Sequence, residues 1–362
     1  VPNSRQGFEK LFSLVSSFEN NPENVKAGLE ATGHYSFAIL GYLLEKGVTC
    51  FVFNPLHTNL YRKAVSLRKT KTDKVDSKTI ALMLLSSVTL KPYSKALYHN
   101  EQLKSLSRYR FSKVRERAVL KQQLARLVNI LFPELEKLVP SLHLSSVYAL
   151  LEQFPGASYV ANAHLTKLTN LLSSSSSGHY KKEKAIQIRN AAASSVGCIM
   201  PAKSLELRHT VALIRVLSEE IEEIETEIKK LMDELHSPIT SIPGISYRMA
   251  AMILSEIGDF SNFDSPDKIL AFAGLSPSTY QSGKLDNAYS HMEKRGSKYL
   301  RYALFTAATY VCIWDKTFAD YLHKKLAEGK HYYVALSHAI KKLVRVIYAL
   351  QTTGQTYISA VA

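Results

Sequence analysis

The sequence predicts an α/β N-terminal domain and an all-α C-terminal domain, joined by long coiled-coil helices. Three observations predict it. Near the start, two short strand-like runs, "VKAGLE" (25–30) and "VTCFVFN" (48–54), alternate with stretches of helical spacing. Between residues 214 and 235, apolar positions recur in heptads. After residue 236 only helix-length patterns follow, punctuated by Pro and Gly. These shifts set domain boundaries at 1–95, 96–236 and 237–362, and no internal repeat is visible.

Taken in order, "GFEKLFSLVSSF" has helical spacing, and "YSFAILGYLLEKG" reads as a helix closed by Gly47. The second strand is of the buried type and stops at Asn54-Pro55. Strand–helix–strand at this spacing implies a right-handed parallel crossover. A helix then begins in "KTDKVDSKTIALMLL" (71–85), with Thr72 as its N-cap.

From Leu97 to Val139 the chain reads as one long helix or two, rich in arginine through "SRYRFSKVRERAVLKQQLARL". A loop-rich region is expected next, with "SSSSSGHYKKEK" (173–184) as a flexible polar linker or tip. Ile214, Leu217, Ile221, Ile224, Ile228, Leu231 and Leu235 then alternate at spacings of three and four. That seam predicts a coiled coil, formed between subunits or by folding back on the earlier basic helix.

In the last segment, "ITSIPGISYRMAAMILSEIGDF" reads as helix, Pro-Gly hairpin, helix. "FDSPDKILAFAGLSP" is a capped helix, with Pro266 in its first turn and Gly274 at its stop. A polar loop, "STYQSGKLDNAYSHMEKRG", precedes two more helices, from Ser297 to Trp314 and from His331 to Leu350.

Across 362 residues, 46 Lys and Arg against 31 Asp and Glu leave a net charge of +15. Such a surplus attracts a polyanion, either nucleic acid or an anionic membrane surface. No apolar run approaches the roughly 20 residues needed to span a bilayer, and no basic-then-apolar leader pattern opens the chain. Nucleic acid is the expected partner, in the cytoplasm. Cys50, Cys198 and Cys312 are far apart and form no CxxC pair, so neither a disulfide nor a zinc site is expected.

Two aspartates three residues apart open the helix at residue 73. Acidic residues suit a helix N-terminus, where they offset the partial charge of exposed amides. Asp73 and Asp76 also share a helical face, and Glu30 ends a predicted parallel strand, the place where α/β sheets put their ligands. If the helix packs across that edge, the three carboxylates converge. Their repulsion would then require a cation, and Mg²⁺ takes such oxygen ligands. Arg62, Lys63, Arg68, Lys69, Lys71 and Lys74 crowd the approach and would hold a phosphate backbone beside it. Arg108, Arg110, Arg115, Arg117 and Arg126 line the long helix at a density that suits RNA or DNA phosphates. Tyr61, Tyr109, Tyr289 and Tyr299 offer faces for unpaired bases or for packing at a domain edge. The helix start at Ser246, after "IPG", is either a plain connection or a phosphate grip.

"GLEATGHY", "NP", "LRKTKTDKVDSKTIA", "SIPGIS", "AGLSPSTYQSGK" and "KRGSKYLRYAL" occur in this order along nearly the whole chain. In order and spacing they resemble the DEDD-type transposases of the insertion sequence 110 family. The resemblance implies an N-terminal RuvC-like, ribonuclease H-type domain with a D–E–D–D metal site, and a C-terminal serine transposase domain. Glu30, Asp73 and Asp76 match the second, third and fourth acidic positions, which implies that they are catalytic and hold Mg²⁺. The family opens on a strand carrying the first aspartate. No residue of this chain matches it, so the expectation is a RuvC-like domain lacking its first strands.

Ser282, in "QSGK", matches the family's serine. By itself Ser-Gly in a polar loop is a turn, and serine needs a base, a metal or a positive field to become a nucleophile. The resemblance implies that Ser282 attacks phosphorus in DNA, with Lys284, Arg295, Lys298 and Arg301 available to neutralise the developing charge. It also implies a structured guide RNA, DNA at the element's ends and at its target, a homo-oligomer (dimer or tetramer), and a bacterial-type, nucleoid-associated location. Two other readings stay open: a metal-dependent junction or strand nuclease using water, and a catalytically inactive nucleic-acid-binding remnant.

Overall fold

The computed structural model describes residues 1–31, 35–65, 72–86, 92–93, 95–277, 281–282, 285–286 and 292–359, with 35, 56, 95–99, 281–282 and 285–286 described in backbone only. It is mostly helical with a small parallel sheet. The chain divides into two compact units, residues 1–104 together with 237–362, and residues 105–236.

The first unit opens with α1 (Arg5–Ser16), whose N-cap Ser4 accepts a hydrogen bond from the Gly7 amide at 3.2 Å. Next come β1 (Lys26–Glu30), α2 (Tyr35–Glu45), β2 (Thr49–Phe53), α3 (Pro55–Val65) and α4 (Asp73–Ser86). The strands are parallel, in register from Lys26↔Thr49 to Glu30↔Phe53. Among the described residues this sheet has two strands, and the amide of Tyr93 donates to the carbonyl of Cys50 on the outer side of β2.

Strand alternation sorts the side chains to two faces. Ala27, Leu29, Cys50 and Val52 join Leu40, Leu43 and Leu44 of α2 and Phe12 of α1. Phe51 and Phe53 join Tyr61 of α3 and Ile80, Met83 and Leu84 of α4. Gly28 sits on this second face. A Cβ there would lie 2.5 Å from Ile80 Cγ2 and 3.0 Å from Leu84 Cδ1, so glycine lets α4 lie directly on β1. Glu30, two residues further along the strand, shares that face.

The second unit continues α5 (Lys95–Leu131) through α6 (Leu135–Leu138), α7 (Ser145–Gln153), α8 (Ala157–Ala161), α9 (Leu165–Ser175), α10 (Lys182–Ala193) and α11 (Pro201–Leu235). The loop-rich region expected after Val139 is therefore helical, which corrects the sequence reading. Leu168 and Leu172 of α9 and Ile188 of α10 are buried in one core with Leu124, Phe132, Leu151 and Leu207. Burial of such side chains, each stabilising by roughly 1.5–3 kcal/mol, outweighs the turn-forming tendency of the serines. Ser173 to Ser175 form the last turn of α9, where Ser175 Oγ donates to the Leu171 carbonyl at 2.5 Å.

Along α11 the seam positions Ile214, Leu217, Ile221, Ile224 and Ile228 are buried within this single chain, whereas Leu235 is 53% exposed. After Ile228 burial passes to Met232. Two successive steps of four residues follow the 3.6-residue turn of a straight helix rather than a sustained heptad. Arg110, Lys113 and Arg117 of α5 meet Glu225, Glu220 and Ser218 of α11 at 2.6, 2.7 and 3.1 Å. Numbers rising on one helix as they fall on the other make the pair antiparallel.

The C-terminal part of the first unit holds α12 (Tyr247–Ile257), α13 (Pro266–Phe272), the two-residue strands β3 (Gln281–Ser282) and β4 (Leu285–Asp286), α14 (Lys298–Trp314), α15 (Lys316–Ala327) and α16 (Tyr332–Thr353). Helix α14 is central. Ala303, Ala307 and Ala308 are fully buried on it, and these small side chains let α12, α15 and α16 pack close. The separate helix α15, absent from the sequence reading, starts at Asp315, whose side chain accepts the Phe318 amide at 3.1 Å.

Candidate functional site

On the acidic side, Glu30 closes β1 on the face carrying α4, and Asp73 and Asp76 begin α4 behind the cap Thr72, whose Oγ1 accepts the Val75 amide at 3.3 Å. Asp73 is exposed. Half-buried Asp76 faces Arg62 at 3.4 Å, and Arg62 also donates to Asn59 Oδ1 at 2.9 Å. Among the described residues, no group of three or more His, Cys, Asp or Glu side chains is arranged to hold a metal ion. An oxygen-only set suits Mg²⁺, but the described side chains stop short of a three-ligand centre.

The cations named from sequence divide into three groups. Arg62 is engaged by Asp76 and Asn59, and Arg110 is engaged by Glu225, with side chains only 15% and 16% exposed. Arg115, over the Phe111 ring at 5.7 Å, Lys298, over the Tyr299 ring at 5.0 Å, and Arg295 present exposed charge. Lys69, Lys71 and Lys284, with Tyr289, lie outside the described residues. Tyr61 donates to or accepts from Ser86 Oγ at 3.0 Å, which marks it as a packing tyrosine. The turn before Ser246 packs on α14, since a Cβ at Gly244 would come within 2.7 Å of the Tyr310 carbonyl. Ser246 Oγ accepts the Met249 amide at 3.5 Å, as a helix connection requires.

Ser282, in the segment read from sequence as a polar loop, belongs to a short antiparallel ribbon of two two-residue strands. It pairs with Leu285, Gln281 pairs with Asp286, and an isolated bridge joins Pro277 to Met292 at the ribbon's root.

The root is built from "AGLSP" and "KRGS". Lys294 and Ser297 amides donate to the Gly274 and Phe272 carbonyls at 3.1 and 3.0 Å, and the Glu293 amide donates to Ser276 at 3.2 Å. Arg301 Nη1 donates to the Ala273 and Lys294 carbonyls at 2.9 and 3.3 Å. Ser297 Oγ caps α14 at the Leu300 amide and donates to buried Glu256 Oε2 at 2.6 Å. Arg301 thus braces the ribbon's base, and Glu256 was not singled out from sequence. A lone Glu between apolar residues of a helix, "ILSEIGDF", was the only available signal.

The two buried thiols offer no rival nucleophile. Burial pushes Cys50 up to about 11, and burial together with the neighbouring Asp315 carboxylate pushes Cys312 up to about 11, so both stay protonated near neutrality. No helix among the described residues is long and apolar enough to cross a membrane.

The DEDD transposase family of IS110 matches residues 1–133, and the transposase family IS116/IS110/IS902 matches residues 236–323. An insertion element IS110 protein of Streptomyces coelicolor is 29% identical over 136 residues, 37% of this chain and 33% of that protein's length. An insertion element IS116 protein of Streptomyces clavuligerus is 22% identical over 336 residues, 91% of this chain and 82% of its own. A pilin gene-inverting protein of Moraxella bovis is 24% identical over 355 residues, 96% of this chain and 86% of its own. Matched at both ends by models of one family, the chain belongs to the IS116/IS110/IS902 transposase family.

Proposed function

We propose that this chain is the recombinase of an insertion sequence, cutting and rejoining DNA with Ser282 as its nucleophile. The observation that carries the reading is the ribbon. Ser282 lies in its first two-residue strand, and the described segments before and after the ribbon are interlocked through Gly274, Gly296, Arg301 and the Glu256–Ser297 hydrogen bond. A nucleophile carried on a firmly rooted segment is held in position for attack on a phosphodiester.

In this reading Ser282 Oγ attacks phosphorus, the bond to the leaving deoxyribose oxygen breaks, and the phosphoserine ester conserves the bond for rejoining. Lys284 and Arg295 supply positive charge, while Arg301 acts through the root. Glu30, Asp73 and Asp76 are the carboxylates that would contribute to an Mg²⁺ site, short of a complete centre by themselves, and a bound Mg²⁺ would stabilise charge on phosphate oxygens. DNA at the element's ends and target, a structured guide RNA, and a dimer or tetramer complete the proposal. Inverting a gene, as one relative's name describes, requires resealing of cut strands; that favours serine chemistry over a nuclease that uses water.

The test is covalent trapping. Full-length protein is incubated with plasmid carrying the element's ends, its transcripts and Mg²⁺, then denatured in detergent. The wild type should yield a protein–DNA adduct that Ser282→Ala loses while gel-shift binding persists. An adduct that survives Ser282→Ala would refute the assignment, and wild-type protein that binds DNA without any adduct would favour the inactive remnant.

A further inference from the structure

An open groove of about 520 Å³ lies where the ribbon's returning strand meets α14 and α16. Its wall is aromatic and apolar: Tyr302 and Phe305 from α14, Tyr333 from α16, and Met292 from the ribbon's root. Lys294, Lys298 and Arg301 line it as well, and neither Asp nor Glu is among its described lining residues. Tyr333 is 63% exposed and Tyr302 41%, and the Tyr333 ring stacks on His331 at 5.9 Å, which holds it out at the rim. Exposed aromatic faces beside cations are the chemistry that recognises nucleic acid.

We infer that this groove holds one or more unpaired bases of the DNA strand delivered to the ribbon, stacked on Tyr302 and Tyr333 with flanking phosphates on Lys294 and Lys298. Duplex DNA hides its base faces and would leave the aromatic wall unused; a single strand uses both wall and cations. The groove includes Met292 and Lys294, beside the bridge from Pro277 to Met292. This inference rests on the recombinase reading, but its test does not depend on cleavage.

Fluorescence anisotropy on the full-length Ser282→Ala protein compares a short single-stranded DNA with its duplex and with RNA of the same sequence. Tyr302→Leu and Tyr333→Leu should each weaken single-strand DNA binding by about tenfold and leave duplex binding within about twofold, while Tyr302→Phe behaves as the parent. Lys294→Gln should reduce the salt slope of single-strand binding. Circular dichroism confirms folding of each variant. Equal binding by parent and both leucine variants overturns the inference, as does equal loss for single strand and duplex. Tyrosine-dependent binding of RNA alone overturns it too. So does a shift in sedimentation without any change in oligonucleotide affinity, which would mean that a second copy of the chain fills the groove. Loss of the serine adduct with tyrosine-dependent binding intact would count against the recombinase reading and leave the groove standing.

Discussion

Gly274 and Gly296 pack backbone against backbone at the root of the ribbon. A Cβ on Gly274 would lie 2.1 Å from the Arg295 carbonyl, and one on Gly296 would lie 2.1 Å from the Phe272 carbonyl and 3.3 Å from the Gly274 amide nitrogen. Both have positive φ, 69° and 105°. Gly274→Ala should therefore cost more than about 1 kcal/mol and loosen the root before the rest of the unit. Hydrogen exchange reads this directly: the Lys294 and Ser297 amides should lose protection, with α12 unaffected. Unchanged protection at those amides would count against an interlocked root.

At the sheet, Gly28→Val should lower stability by about 1–3 kcal/mol in a urea titration, because its side chain must displace Ile80 and Leu84. Adding Ile80→Ala should restore part of the loss. No recovery would mean that α4 is held elsewhere.

The Arg110–Glu225 ion pair joins α5 to α11 within one chain at 2.6 Å. A double-mutant cycle to alanine should give a coupling of about 0.5–3 kcal/mol. That coupling should not vary with protein concentration, since both partners belong to the same chain.

Asp315 accepts hydrogen bonds from Tyr357 at 3.1 Å and Ser359 at 2.9 Å as well as capping α15. Burial, together with that hydrogen bond and the Asp315 charge, pushes the Tyr357 phenol up to about 12. A raised acid binds its proton more tightly when folded. Its stabilisation is complete below the ordinary tyrosine value near 10 and disappears as pH climbs toward 12. Thermal melts between pH 9 and about 12 should therefore fall more steeply for the wild type than for Tyr357→Phe. Parallel curves would contradict the Tyr357–Asp315 hydrogen bond.

How much of this was legible depends on the element. The strands at Lys26–Glu30 and Thr49–Phe53 and the Thr72 cap were readable because alternation and capping are local signals. The serine run misled: composition pointed to a linker, whereas the leucines at 165, 168 and 172 were already spaced for a helix. Helix α15 was missed because Asp315 stops one helix and starts the next with no glycine or proline between. Arg110 and Arg62 read as phosphate ligands because a sequence shows charges without their partners; Glu225 and Asp76 were 115 and 14 residues away. The ribbon's root depends on backbone contacts between segments some twenty residues apart, which no local pattern encodes.

One experiment bears on the core proposal more directly than any other: identifying the atom that carries DNA in a trapped complex. Protease digestion of the adduct followed by mass spectrometry should place the residual nucleotide phosphate on Ser282 Oγ, with every tyrosine and other serine unmodified. A phosphate mapped to any other residue would contradict the account.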